Sequence, residues 1–162
     1  MSWVPSEAGL AEWCAGFFRH PLDEAQLERY LESSKQPNAR VIWAAETDGG
    51  DHVGHVEIGQ IWPHLSSRLS RVLVAPGHRR HGIGSAMTAK ALSFSFREHP
   101  VNRIDLGVLA ANTSAIACYD KLGFTHVGTW LGASWPGVDK IDVYWMTLTR
   151  DQWVRDGSDP AD

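Results

Sequence analysis

Val72-Leu73-Val74-Ala75-Pro76-Gly77-His78-Arg79-Arg80-His81-Gly82-Ile83-Gly84-Ser85 is the stretch that decides the fold. It ends a run, Leu69 to Val74, that is apolar apart from Ser70 and Arg71 and so reads as a strand inside a sheet. Beyond it Ile83, Met87, Ala91 and Phe94 recur at helical spacing, which predicts a helix from Gly84 to about Arg97, ahead of Pro100. Between strand and helix lies a basic loop. The first amides of a helix lack partners within it and sit at the positive end of its dipole, so loop and helix together make an anion site. Arg79 and Arg80 add charge, and the missing Cβ atoms of Gly82 and Gly84 allow close approach of the backbone. The alternative is a plain strand-to-helix turn with solvated arginines.

Two nucleotide motifs fail on spacing. The dinucleotide fingerprint needs a third glycine where Met87 stands, and the triphosphate loop needs a lysine where Ile83 stands.

Working outward, Pro5-Ser6-Glu7 followed by Leu10, Trp13, Cys14, Phe17 and Phe18 predicts a capped amphipathic helix that Pro21 interrupts. A second helix is expected from Asp23 to Ser33, with Leu27, Tyr30 and Leu31 on one face. From Arg40 the period becomes two, and Asp48-Gly49-Gly50-Asp51 turns this strand into a second arm, His52 to Ile61. Arg103 to Leu109 reads as a strand. Asn112-Thr113-Ser114 caps a short helix whose apolar stripe is Ala115, Ile116, Tyr119 and Leu122, and Gly123 stops it. Two final strands, Phe124 to Leu131 and Ile141 to Leu148, are separated by an irregular loop from Gly132 to Gly137, and a polar tail following Trp153 is expected to fray. The order predicts an α/β arrangement on a mixed sheet.

With 162 residues and 43% hydrophobic content, one domain spanning the chain is expected. A formal net charge of -4 argues against a nucleic-acid partner and suits a cationic small substrate. Cys14 and Cys118 form no CxxC pair, and no signal segment or membrane span is read, so a cytoplasmic, membrane-free protein is expected. His52 and His55 should face opposite sides of a strand, and His78 and His81 lack a neighbouring carboxylate or cysteine set, so no metal site is expected. Cys118 reads as a buried structural cysteine.

Arg79, Gly82 and Gly84 fit the pattern Gln/Arg-x-x-Gly-x-Gly/Ala, while Asn112, Ala115, Tyr119 and Leu122-Gly123-Phe124 fit N-x-x-A-x-x-x-Y followed by L-G-F. With both motifs in this order, the chain from about Ala44 to Leu148 resembles the GNAT superfamily of N-acetyltransferases, and in appearance the Rim-type members that modify protein N-terminal amines. The resemblance implies a GNAT-like, mostly antiparallel twisted sheet flanked by helices. Its first strand is expected to be missing, since only Met1-Ser2-Trp3-Val4 precede Pro5. A second copy covering the exposed sheet edge, as a homodimer, is one expectation.

The resemblance also implies acetyl-CoA as acyl donor and an amine as acceptor. The main chain of Val72, Leu73 and Val74 would bond the pantetheine arm, with the amide of Leu73 or Val74 polarising the thioester. Arg79, Arg80, His81, Gly82, Ile83, Gly84 and Ser85 would hold the pyrophosphate, and Asn112 would bond the cofactor. Tyr119 matches the usual general acid, or it is simply one apolar-stripe residue. Relatives often carry a carboxylate base on the strand before the loop, where this chain has Ser70 and Arg71. Glu57 on the adjoining strand is the nearest acidic candidate, accepting the amine's proton directly or through water, or it lies on a solvated hairpin face. Trp43, Trp62 and Trp135 are candidates to line the acceptor cleft. A noncatalytic acyl-CoA-binding module is the alternative function, and a cofactor-free interaction protein a third.

Overall fold

The computed structural model describes residues 3–155. Helices α1 (Glu7–Cys14) and α2 (Glu24–Ser33) come first, followed by strands β1 (Arg40–Glu46), β2 (His52–Trp62) and β3 (Ser66–Val74). Then come α3 (Ile83–Glu98), β4 (Arg103–Leu109), α4 (Thr113–Lys121), β5 (Thr125–Trp135), β6 (Val138–Thr149) and α5 (Arg150–Arg155). Among the described residues six strands form one sheet in the order β1-β2-β3-β4-β6-β5. Only β3 and β4 run parallel. The sheet is thus mixed and mostly antiparallel, and the described residues ahead of α1 contain no strand, so β1 stands at an edge.

Alternation along the strands separates two cores. On one face Val56, Ile58, Leu69 and Ile104 pack beneath Met87, Ala91, Leu92 and Phe96 of α3. On the other, Ile42 and Leu73 meet Leu10, Cys14, Phe18 and Tyr30 from the α1–α2 region. Trp43, a candidate to line the acceptor cleft, belongs to the first face, 5.0 Å from Phe94 in an edge-on contact, and so packs towards α3 and away from the α1–α2 side.

The helices begin where side-chain oxygens can cap them: Ser6 accepts from the amide of Gly9, and Asp23 from that of Gln26. Three expectations are corrected. Helix α1 stops at Cys14, with Ala15 left-handed, so Phe17 and Phe18 lie beyond it in the connection to α2. Leu31 is exposed, because α2 rests on the sheet through Tyr30. The expected loop at Gly132–Gly137 is part of a long hairpin in which β5 and β6 continue to a turn at Pro136-Gly137. Trp153 is buried on α5, while the polar tail beyond residue 155 lies outside the described residues.

Candidate active site

Strands β3 and β4 pair only from Ser66–Arg68 to Arg103–Asp105. Past that point they diverge, and the edge of β3 from Leu69 to Val74 that would face β4 has no strand beside it. A bulge sets the orientation of this edge. His55 pairs with Leu73 and Glu57 with Ser70, so β3 has one residue more than β2 between these pairs, and Arg71 takes a left-handed φ of 50°. Such a conformation is costly for a residue with a Cβ, and the surrounding contacts hold it there.

Arg71's side chain is one of those contacts. Its Nε donates to Glu57 Oε2 at 2.7 Å, and its Nη2 donates to Glu57 Oε1. Glu57, only 1% exposed, also accepts from the Tyr30 hydroxyl at 2.5 Å and from Arg40 Nη1 at 3.5 Å. The carboxylate expected to take the amine's proton is therefore neither solvated nor idle; both of its oxygens are held by guanidinium donors. Arg71 and Arg40 stack over the Phe17 ring, 4.2 and 5.0 Å from its centre. Burial first, and then the charge and hydrogen bond of Glu57, push the Tyr30 phenol well above the ordinary range.

His55 adjoins this group. Its Nδ1 lies 2.7 Å from the carbonyl oxygen of Arg71, which only accepts, so Nδ1 carries the proton and Nε2 keeps the lone pair. Nε2 is 3.3 Å from the Tyr30 hydroxyl. Burial, partly offset by the Arg71 carbonyl and by Glu57, lowers its pKa below 6.5. Sequence reasoning missed Arg71, Tyr30, His55 and Arg40. The polar pair Ser70-Arg71 breaking an apolar strand was the available signal for the bulge.

At the end of β3, Arg79 Nε donates to Val74 O at 3.0 Å, tying the loop to the strand. Arg80 and Gly82 are left-handed, with φ of 63° and 80°. Gly82 caps α3 without any side-chain hydrogen bond, and the first helical bond runs from Ala86 N to Gly82 O. The amides of Ile83, Gly84 and Ser85 therefore precede the helical ladder and are donors for an anion. A Cβ on Gly82 would meet nothing within 4 Å, so its backbone angle, and not crowding by the protein, requires glycine there.

Residues 8–124 match the Acetyltransferase (GNAT) family. The chain belongs to this family. It is similar to a mycothiol acetyltransferase of Corynebacterium glutamicum, 29% identical over 126 residues, which are 76% of this chain and 40% of that relative. It is also similar to the spermidine N(1)-acetyltransferase of Vibrio cholerae, 26% identical over 69% of this chain and 65% of that protein. The chain thus spans less than half the length of the mycothiol enzyme and about two thirds of the spermidine enzyme. These relatives are not Rim-type enzymes. A solved structure of Vibrio cholerae spermidine N-acetyltransferase with CoA and spermine shares the fold, with a TM-score of 0.76 and 23% identity over 85% of this chain and 82% of that one.

Acetyl-CoA is the donor a GNAT protein implies, and the residues present fit it. The unpaired edge of β3 offers main-chain groups to an extended amide-bearing arm, and the uncapped start of α3 offers donors to phosphate oxygens. Asn112 has a second duty: its Oδ1 accepts from Ala115 N and Ser114 Oγ as the cap of α4, which leaves its NH₂ group to donate. Tyr119 lies in the α3-side core, 5.8 Å from the Phe124 ring. Burial first, with a smaller effect of Cys118, raises its phenol pKa, so the hydroxyl keeps its proton at neutral pH. Burial also raises the Cys118 thiol, offset in part by Ser85 and Lys121, so the cysteine is a poor nucleophile.

Proposed function

We propose that the protein transfers an acetyl group from acetyl-CoA directly to a primary amine, on a small molecule or at a protein N-terminus. The observation that carries this reading is the placement of the bulged, unpaired edge of β3 at one end of the Val74–Gly82 loop and the uncapped start of α3 at the other. When bound, acetyl-CoA supplies the acyl group as an activated thioester. In this reading the main chain of Val72, Leu73 and Val74 bonds the pantetheine arm. The amides of Gly82 to Ser85, with Arg79, Arg80 and His81, hold the pyrophosphate, and Asn112 donates to the cofactor. Tyr119 holds a proton at its phenol oxygen for the departing sulfur.

The amine must lose a proton, and Glu57 remains the carboxylate of the site. Because guanidinium donors occupy its oxygens, we assign it to fixing Arg71 and Tyr30, with the proton taken up at Nε2 of His55, directly or through water. The protein N-terminal amines of the Rim-type resemblance, and the mycothiol and spermidine of the relatives' names, mark the range of acceptor classes among which this site chooses. We further read the protein as cytoplasmic; no described helix is long and apolar enough to cross a membrane. The open edge of β1 suits a second copy, and sedimentation at micromolar concentration checks that reading.

Release of free thiol from acetyl-CoA, measured across a panel of amines beside calorimetric titration with CoA, tests the function. Acceptor-dependent release is expected. CoA binding without such release would point to the noncatalytic acyl-CoA-binding module, which the saturated state of Glu57 favours, and absence of CoA binding would remove both readings.

A further inference from the structure

A cavity of about 590 Å³ opens beside the Glu57 group, between the α1–α2 connection, one side of α2 and the start of β1. Its charge is predominantly positive. Arg19, Arg29 and Arg40 line it, and Asp23 is the one carboxylate among its lining residues. Asp23 is already engaged, since its Oδ1 accepts the Gln26 amide at 2.8 Å as the cap of α2. Gln26 is engaged as well, bonding the main chain of Arg19 and Pro21. Arg19 and Arg29 form no ion pair among the described residues.

Arg40 carries the argument deeper. Glu57 is bonded more closely by Arg71, so two guanidiniums share one carboxylate, and Arg40 reaches it only at 3.5 Å. Its Nε is buried with no hydrogen-bond partner among the described residues, an omission that costs free energy unless a ligand or water fills it. The cavity floor is therefore cationic beyond local neutrality, in a chain whose formal net charge is -4. Phe17 and Tyr30 give it aromatic walls. Tyr30 also joins it to the transfer site, because its hydroxyl contacts Glu57 and His55, which pair with Ser70 and Leu73 at the bulge of β3.

We infer that this cavity binds an oxyanion, carboxylate or phosphate, carried by the acceptor amine, so that the substrate is an anion-bearing amine such as an amino acid, a peptide or a phosphorylated amine rather than a polyamine. The inference rests on the acetyltransferase reading and specifies its acceptor. A polycation such as spermidine would meet three guanidiniums against the single carboxylate of Asp23, whereas an oxyanion gains charge-assisted, bidentate hydrogen bonds. The net charge of the protein suggested a cationic substrate from sequence alone; the local field has the opposite sign, and the local field is what a bound ligand meets.

Matched acceptors test this. Thiol release is measured with phenylalanine against phenethylamine, O-phosphoethanolamine against ethanolamine, and spermidine, in the wild type and in Arg19→Gln and Arg29→Gln proteins. Both positions are exposed, so the fold tolerates the changes. At least one charged acceptor is expected to exceed its neutral counterpart roughly tenfold or more in kcat/KM, and the pair in which this occurs tells carboxylate from phosphate. The substitutions should raise KM for that acceptor with little change in kcat and bring the ratio towards one. Equal or better turnover of spermidine and the neutral amines, indifferent to both substitutions, would overturn the inference and leave the acetyltransferase reading intact. Direct titration with inorganic phosphate and with N-acetylphenylalanine, followed through arginine Nε–H resonances, decides the matter if no amine is acetylated. Saturable binding that Arg29→Gln weakens supports the site, and absence of binding by both probes rejects it.

Discussion

Nδ1 of His55 and the main-chain oxygen of Arg71 lie 2.7 Å apart, so the bulge of β3 sets the tautomer of the imidazole on β2. Nitrogen NMR should find Nδ1 protonated and Nε2 bare at neutral pH. If His55 takes the amine's proton, His55→Gln should remove the acidic limb of the kcat/KM profile, whereas Glu57→Gln should lower the rate but keep a limb. An unchanged limb in His55→Gln would exclude it as the acceptor. The lowered pKa also sets the sign of a stability effect. Below the unfolded value of 6.5 the unfolded chain takes up a proton that the folded chain resists, so the wild type loses stability as pH falls. Its advantage over His55→Gln in denaturant should shrink between about pH 7.5 and 5, with a slope no greater than ~1.4 kcal/mol per pH unit. Parallel curves would contradict the buried neutral imidazole.

Glu57 balances two largely buried guanidiniums, Arg71 and Arg40, whose side chains are 12% and 18% exposed. Glu57→Gln leaves both without a counter-charge. Breaking one side of a buried pair typically costs about 3–5 kcal/mol, so urea denaturation should show a loss of that order. Arg71→Met in the Glu57→Gln background should recover part of it, because the second change removes an uncompensated charge. A double variant less stable than Glu57→Gln alone would mean that the left-handed bulge, and not the charge balance, depends on this side chain.

Two glycines with nearly equal backbone angles should respond differently to alanine. Gly82 and Gly137 have φ of 80° and 84°. A Cβ on Gly82 meets nothing within 4 Å, while one on Gly137 would come within 2.9 Å of the carbonyl carbon of Glu7 and 3.0 Å of its oxygen. Gly82→Ala should cost only the ~1–2 kcal/mol of a left-handed alanine. Gly137→Ala should cost roughly 1–3 kcal/mol more, because the β5–β6 turn is pressed against the backbone of α1. Thermal denaturation of the pair checks the ranking, and CoA affinity should fall only for Gly82→Ala.

The contrast between these glycines marks where the sequence is readable. Strand period and helix stripes are local, so β4 was read at Arg103–Leu109, its observed bounds, and α2, expected from Asp23 to Ser33, runs from Glu24 to Ser33 behind Asp23 as its cap. The loop with Gly82 and Gly84 was legible for the same reason, since its chemistry is main-chain and contiguous. What failed depends on partners distant in sequence. The Gly132–Gly137 segment reads as a loop, yet β6 lies alongside it, Gly132 falls where the register shifts, and Gly137 makes the hairpin turn. Glu57 reads as a lone carboxylate, because no local pattern announces that Arg71, Arg40 and Tyr30 converge on it. The sign of the field in the α1–α2 cavity was hidden by averaging over the whole chain.

Tyr119 separates catalysis from packing most directly. Its ring is buried against Phe124 in the α3-side core, which is what an apolar-stripe residue would do, and its phenol is held protonated by that burial. Tyr119→Phe keeps the ring and removes only the hydroxyl. If the phenol protonates the departing sulfur, kcat should fall about tenfold or more while CoA affinity stays constant. The loss should also depend on the leaving group: a thioester whose thiol is more acidic needs less help from an acid, so the variant should recover most of its rate on such a donor. Stability provides the control, since a merely packed tyrosine would lose little on becoming phenylalanine and would leave kcat untouched on both donors. Equal kcat in the two proteins would return Tyr119 to the core and leave the protonation of sulfur to solvent.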